Sequence, residues 1–319
     1  MIMTKEKVLI KIKNLNKFFK IDGINFQANK NISFSIFKGE TLSIIGESGS
    51  GKSTLAKIII QLQKADKGEI IYFKKNNFSQ NLNELNKNEM NLLRKDIQII
   101  FQNSITTLNP KFLIKDIIGE GLIIQKKVKN KKDSNYNKKI IEIMKLCGLD
   151  LELMNRFPYE LSGGQRQRVN IAKTLILKPK LVICDEIVSA LDVIIQKQIL
   201  DLLNYFKYKY KITYLFISHD LGVARFISDR IGVMFKGHLV ELAKKEEIFK
   251  NPLHFYTKKM LKASPKIIHN DIDLYNNAHD SKEIEREELN FNKNEDKYFF
   301  KEVRPNHFVL KYSEAKRKK

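Results

Sequence analysis

TLSIIGESGSGKSTLAKIIIQL, residues 41–62, runs from a short β-rich apolar segment through a glycine-rich turn into a second apolar segment of helical character. Inside it, Gly46 to Ser53 fits the pattern GxxxxGK[ST]. Glycines there let successive backbone N–H groups turn toward a phosphate, Lys52 brings a point charge to the outer phosphates, and Ser53 can hold magnesium. Average composition would match the four fixed positions in roughly one chain in a hundred of this length, so the motif alone does not decide. Its setting does: a strand predicted at 41–45 and a helix at 55–62 make a strand–loop–helix unit, and the alternative is an incidental glycine turn. The predicted phosphate-binding residues are Gly46, Glu47, Ser48, Gly49, Ser50, Gly51, Lys52, Ser53 and Thr54.

Downstream, residues 181–184 and 213–217 are fully apolar and β-rich, as buried parallel strands require, and a helix is predicted between them at 194–207. The first of these runs ends in Asp185-Glu186, which places one carboxylate to bind a metal and the next to polarise a water. Two solvated acids at a strand end would be the default reading without the glycine-rich loop. Upstream, residues 8–12 and 32–37 read as strands of an antiparallel layer. Residues 74–91 read as a surface turn leading toward a helix, and 91–101 as a climb back to an apolar strand. Helical periodicity at 114–124 and 140–149 brackets a lysine run, 126–139, predicted to be a solvated loop. These segments together predict a helical subdomain over about 103–160, inserted in an α/β domain that spans 1–265.

The chain has 319 residues, 43% of them hydrophobic, which is enough for a large core. No segment approaches the roughly 18 consecutive apolar residues of a membrane helix, and residues 1–17 alternate Lys with Ile and Leu, so a cytoplasmic location is expected. Cys147 and Cys184 sit in apolar segments without metal-binding spacing and are predicted core residues. The net charge of +22 would suit nucleic acid, an anionic surface or a lysine-biased composition. Residues 266–319 hold 12 basic and 11 acidic side chains, so the excess belongs to the main domain. This extension is charged and Asn-rich apart from the clusters 298–300 and 307–310, which suggest docking to a partner.

LSGGQ at 161–165 and FISHD at 216–220 are similar to the signature and switch-histidine motifs of ABC ATPases. FQ at 101–102 resembles the Q-loop of that family and SALD at 189–192 its D-loop. From Lys52 the motifs follow at 50 residues to Gln102, 60 more to Ser162, 23 to Asp185 and 34 to His219, the spacing of one compact cassette. The resemblance implies ATP and Mg2+ as cofactors and a head-to-tail pair of cassettes. It assigns Glu186, His219, Gln102 and Lys52 to catalysis, and Ser53, Gln102 and Asp185 to the metal. Ser162, Gly163, Gly164 and Gln165 would complete the nucleotide of the opposite subunit, and Phe19, with Phe18 as alternative, would stack on adenine.

LNPKF after the Q-loop, SALDVIIQKQILDLL, and NPLHFYTKKMLKASP at 251–265 are closest to the F-type ATPase subunit of oligopeptide and dipeptide importers. That resemblance implies a second ATPase, either a D-type paralogue or an identical chain, two permease subunits, and indirectly a solute-binding protein, with this chain peripheral on the cytoplasmic face. Ile187 stands where the family usually has proline, and Asn103-Ser104 where it has Asp-Pro. The extension lacks the cysteines with which some relatives bind an iron–sulfur centre. The rival functions are import of nickel or another small solute, and an ABC ATPase acting on nucleic acid or ribosomes. The latter resemble tandem cassettes or cassettes split by coiled coils, which this chain does not, so no nucleic-acid partner is expected.

Overall fold

The computed structural model describes residues 7–74, 79–102, 107–263, 281–293 and 298–312. Two compact units are present: residues 9–36, 41–83 and 218–319 form the nucleotide-loop unit, and residues 1–8, 37–40 and 84–217 the second unit. The family departures at Asn103-Ser104 and the boundary at Pro265 lie outside the described residues.

The nucleotide-loop unit begins with β1 (Val8–Ile21) and β2 (Ile24–Phe37), a long hairpin. Its turn is Asp22-Gly23, both at positive φ (48° and 81°), the backbone that Asp-Gly favours between twisted strands. The sequence predicts only 8–12 and 32–37 here. One reason is a bulge: the register of β1 against β4 shifts between Lys13 and Asn16, with Asn14 at φ 48°, which breaks the two-residue period. Next come β3 (Thr41–Ile45), buried at every position, and α1 (Lys52–Ile59). This helix starts three residues before the predicted 55 because its N-cap is Gly51 itself. It stops short of 62, where Gln61 takes a left-handed φ of 62°. With β4 (Lys67–Phe73) and β5 (Ser79–Asn81), the hairpin makes a four-stranded sheet in the order β2-β1-β4-β5, the predicted antiparallel layer.

In the second unit, α2 (Lys87–Asp96) occupies much of the segment predicted as a strand at 91–101, and β6 is confined to Ile97–Ile100. The helix wins because Asn86 and Glu89 form a reciprocal capping box at its start and Leu93 is buried one turn later. Strands β8 (Thr213–Ser218), β7 (Leu181–Asp185) and β6 lie side by side and parallel, with Ile183 opposite both Ile99 and Leu215. Helices α3 (Ile114–Ile124) and α4 (Ser134–Leu146) follow β6, and α5 (Gly163–Leu175) and α6 (Val193–Tyr210) flank β7 in sequence. The lysine run is not all loop. Asp133 accepts a hydrogen bond from the Asn135 N–H and starts α4 six residues early, and buried Tyr136, Ile140, Ile143 and Met144 recur at helical spacing. Cys147 and Cys184 are buried free thiols, and burial pushes the Cys147 thiol up to about 12.

The chain returns to the nucleotide-loop unit with α7 (Leu221–Ile227), β9 (Arg230–Phe235), β10 (His238–Lys244), α8 (Lys245–Lys250), α9 (Phe255–Lys262), α10 (Ser281–Lys293), β11 (Tyr298–Arg304) and β12 (His307–Tyr312). Strands follow in the order β11-β12-β10-β9-β3, parallel between β9 and β3 and antiparallel among the others. The apolar clusters of the extension are therefore used within the chain: Leu310 and Phe291 join Ile45, Val233, Phe235 and Tyr256 in one core. Below that core, fully buried Glu241 accepts hydrogen bonds from the Leu253 N–H at 2.8 Å and the His254 N–H at 3.0 Å, and its Oε1 lies 2.7 Å from His307 Nε2. A buried carboxylate is tolerated only when its lone pairs are answered in this way. Glu241→Ala is expected to destabilise the protein by roughly 3 kcal/mol, because the buried His254 N–H and His307 ring and the partly buried Leu253 N–H lose their shared partner. Urea unfolding of the variant against the parent checks it.

Candidate functional site

The glycine-rich loop is shaped by two backbone carbonyls that approach it from neighbouring strands. Gly46 has φ 154°, and a Cβ there would lie 2.2 Å from the Met234 carbonyl oxygen of β9. Gly51 has φ 99°, and a Cβ there would lie 2.2 Å from the Ala28 carbonyl oxygen of β2. Only glycine fits either place. Asn29 Nδ2 donates to the Gly51 carbonyl at 3.1 Å, and the Gly237 N–H donates to the Ser50 carbonyl at 3.2 Å. Lys52 is 4% exposed, and its ammonium donates to the carbonyls of Gly46 at 2.8 Å and Glu47 at 2.7 Å. The Glu47 N–H donates to Tyr256 Oη at 3.0 Å. A buried cation at a helix start, within a glycine-rich loop, suits a polyphosphate. Glu47, Ser48 and Gly49 are exposed, Ser50 is buried, and Ser53 and Thr54 are partly buried on the first turn of α1.

Other candidates fall in the same unit. His219 is exposed, between the end of β8 and Asp220, whose carboxylate accepts from the Val223 N–H and caps α7. Phe19 is partly buried on β1 with the Lys17 ammonium 5.2 Å from its ring centre, and Phe18 is 40% exposed.

The second unit brings together Gln102, Glu186 and Ser189. Asp185 closes β7 and is buried, while Glu186 leaves the strand at φ 50°, a left-handed backbone that an ordinary side chain rarely adopts. Its N–H donates to the Ile217 carbonyl at 3.0 Å. Gln102 Nε2 donates to Glu186 Oε2 at 3.1 Å and lies 3.4 Å from Ser189 Oγ, and Ser189 Oγ donates back to the Glu186 carbonyl at 2.9 Å. The strained residue is thus held from both its side chain and its backbone.

At the signature, Ser162 caps α5. Its hydroxyl accepts from the Gln165 N–H at 3.2 Å, and Gln165 Oε1 accepts from the Ser162 N–H at 2.9 Å. The Gln165 side chain is engaged in starting its own helix. Gly163 has open space where a Cβ would stand, whereas at Gly164 a Cβ would meet Ile195 Cγ2 at 2.9 Å. Asp192, last residue of SALD, caps α6 by accepting from the Ile195 N–H.

Residues 29–189 match the family described as ABC transporter. The chain belongs to that family and is an ABC-type ATPase. Residues 240–290 match a second family, the oligopeptide/dipeptide transporter C-terminal region. The chain is 41% identical over 313 residues to the oligopeptide transport ATP-binding protein OppF of Bacillus subtilis, covering 95% of each. It is 44% identical over 259 residues to AmiF of Streptococcus pneumoniae serotype 4 (81% of this chain, 82% of the relative). It is 40% identical over 267 residues to the dipeptide transport protein DppF of Lactococcus lactis (82% and 83%). Among solved structures, it is similar to the ATP-binding cassette MJ0796 in a dimeric post-hydrolysis state bound to ADP and Pi. The TM-score is 0.66 at 32% identity, covering 74% of this chain and 99% of that one. It is similar also to cbiO1 of Clostridium perfringens, with TM-score 0.66 at 26% identity, covering 82% and 98%.

Sequence reasoning missed Asn29 and Tyr256. Neither belongs to a phosphate-binding pattern, and Tyr256 lies 204 residues from Lys52 in a stretch that served only to mark a branch of the family. Gly51→Ala is expected to destabilise the protein by roughly 3 kcal/mol or more, from left-handed strain plus a clash with backbone that cannot yield. ATP binding should be lost with it. Thermal unfolding and nucleotide titration of the variant measure both effects.

Proposed function

We propose that this chain is the ATP-hydrolysing subunit of an importer of oligopeptides or dipeptides, working peripherally from the cytoplasmic face of a membrane. Two features support the peptide assignment: the match of residues 240–290 to a transporter C-terminal region, and the names of relatives that align over most of the chain. Among the described residues, no helix is long and apolar enough to cross a membrane, so passage of a solute would fall to separate permease subunits. The proposed assembly is two ATPase cassettes, the second a D-type paralogue or an identical chain, on two permease subunits, with a solute-binding protein acting indirectly from the far side.

In this reading Lys52 and the amides of residues 46–54 would bind the phosphates of ATP, and Phe19 would stack on adenine. Ser53, Gln102 and Asp185 offer the hard oxygen donors that Mg2+ prefers, and the ion would neutralise charge across the outer phosphates. Glu186 would accept a proton from the attacking water, and His219 would hydrogen-bond the γ-phosphate. Ser162, Gly163, Gly164 and Gln165 would close over the nucleotide of the opposite cassette with the N-terminal dipole of α5. The observation that carries this reading is Glu186 itself. A left-handed backbone at a glutamate costs of order 1–3 kcal/mol, and such strain is retained where it aims a functional group.

Glu186→Gln is expected to leave ATP binding and thermal stability near those of the parent, since the amide keeps the size of the carboxylate. Hydrolysis by the assembled transporter should fall at least about a hundred-fold, the lower end of what a positioned base contributes. Turnover within a few-fold of the parent would remove Glu186 from the role of base.

For closure in trans, Gly163 gives a cleaner test than Gly164, because its Cβ position is open. Gly163→Asp is expected to fold and bind ATP as the isolated chain does, yet to fail in ATP-dependent pairing, because the new carboxylate would oppose a γ-phosphate. Sedimentation with ATP, compared for parent and variant, reads this out, and normal pairing would sink the assignment.

A further inference from the structure

We propose that Tyr256 is a positioning residue for the nucleotide loop, and that residues 281–312 act through it to set the affinity for ATP. The proposal rests on the reading of residues 46–54 as the triphosphate site. Tyr256 is 1% exposed on α9, and its hydroxyl accepts the Glu47 N–H at 3.0 Å. On its other side the Glu47 residue is equally constrained: its carbonyl accepts from Lys52 Nζ at 2.7 Å and from the Ser50 N–H at 3.2 Å. The orientation of this segment, and with it the direction in which the lysine ammonium and the following amides point, is fixed between α9 and the loop itself. Burial pushes the phenol up to about 12, so the group remains a neutral hydroxyl at any working pH.

What holds Tyr256 is the C-terminal part of the chain. Its ring stacks on Phe235 at 4.2 Å between centroids, Phe235 meets Phe291 of α10 at 5.6 Å, and Phe291 meets Tyr298 of β11 at 4.9 Å. Phe291 is fully buried, and Ile284, two turns earlier in the same largely charged helix, is buried in the same core. The start of α9 is held as well. His254 Nδ1 accepts from the Tyr256 N–H at 3.2 Å, the His254 N–H donates to Glu241, and Glu241 lies 2.7 Å from His307 of β12. Both routes lead from residues beyond 281 to one hydroxyl on the loop. Aromatic rings packed at this density shift together, so loosening α10 or β12 moves the tyrosine that the loop leans on.

The test compares the full-length parent with Tyr256→Phe, Phe291→Leu, the double variant and Lys52→Ala. Readouts are the affinity for a fluorescent ATP analogue, thermal stability, and KM and kcat after assembly with the partner subunits. Losing one buried acceptor is expected to weaken ATP binding about five-fold in Tyr256→Phe. KM should rise by the same factor while kcat and the melting temperature stay near the parent's, a split that a purely structural tyrosine would not produce. Phe291→Leu keeps most of the core volume, and it should weaken ATP in the same direction, with the double variant losing less than the product of the two single effects. If Tyr256→Phe binds ATP as tightly as the parent while Lys52→Ala loses binding, the phosphate site stands and the tyrosine proposal is overturned. If Lys52→Ala also keeps full affinity, the reading of residues 46–54 fails and this proposal fails with it. Strictly multiplicative effects of Tyr256→Phe and Phe291→Leu would overturn the part assigned to residues 281–312.

Discussion

The absence of room for a side chain at Gly46 and Gly51 is the constraint on which the nucleotide loop depends. The loop cannot choose its own shape: the carbonyl of Met234 in β9 and that of Ala28 in β2 each occupy the space where a Cβ would be. Two sheets of one unit therefore act as a mould, and the amide of Asn29 and the N–H of Gly237 fasten the cast by hydrogen bonds to Gly51 and Ser50. Left-handed backbone at two points bends the chain between them, and the buried Lys52 ammonium closes on the carbonyls of Gly46 and Glu47.

The same unit solves a second problem, that of an acid within the core. Glu241 sits on β10 with no exposed surface, and its partners come from the segment leading into α9 and from β12. A carboxylate placed so is stable only while those segments stay docked, which ties the C-terminal strands to the centre of the unit more tightly than their own short pairing would. Tyr298, Phe300 and Leu310 add apolar contact with the same core. The high positive charge of the chain has a milder role. Its lysines form pairs such as Lys13–Glu69 at 2.9 Å on exposed surface, where the contribution to stability is small.

In the second unit the residues proposed for chemistry stand at the ends of regular elements. Glu186 emerges where a buried strand stops, and Gln102 and Ser189 each hold it by one hydrogen bond and contact one another. Ser162 and Gln165 satisfy each other at the start of α5, on either side of Gly163 and Gly164. In each case a residue at the start or end of the element also stands in one of the motifs read from the sequence, so packing that fixes the element fixes the group.

Sequence by itself determined the glycine-rich loop between β3 and α1 and the buried strands around it, because a Gly-rich GKS pattern and unbroken apolar runs have few physical solutions. It determined the order of the motifs, and through their resemblance the family. It did not reveal how long the first hairpin is, since the bulge at Asn14 breaks the alternation that periodicity depends on. Nor did it reveal that α2 takes up much of the segment read as a strand, or that α4 begins earlier, because short capping patterns at Asn86 and Asp133 outweighed the composition around them. Only the tertiary structure decided what Tyr256, Glu241, Phe291 and His307 do. Each is an ordinary residue in an unremarkable local setting, and each has a partner between 56 and 209 positions away in the chain. Contacts of that separation leave no local period or pattern in the sequence, so they exist only once the strands have been laid side by side.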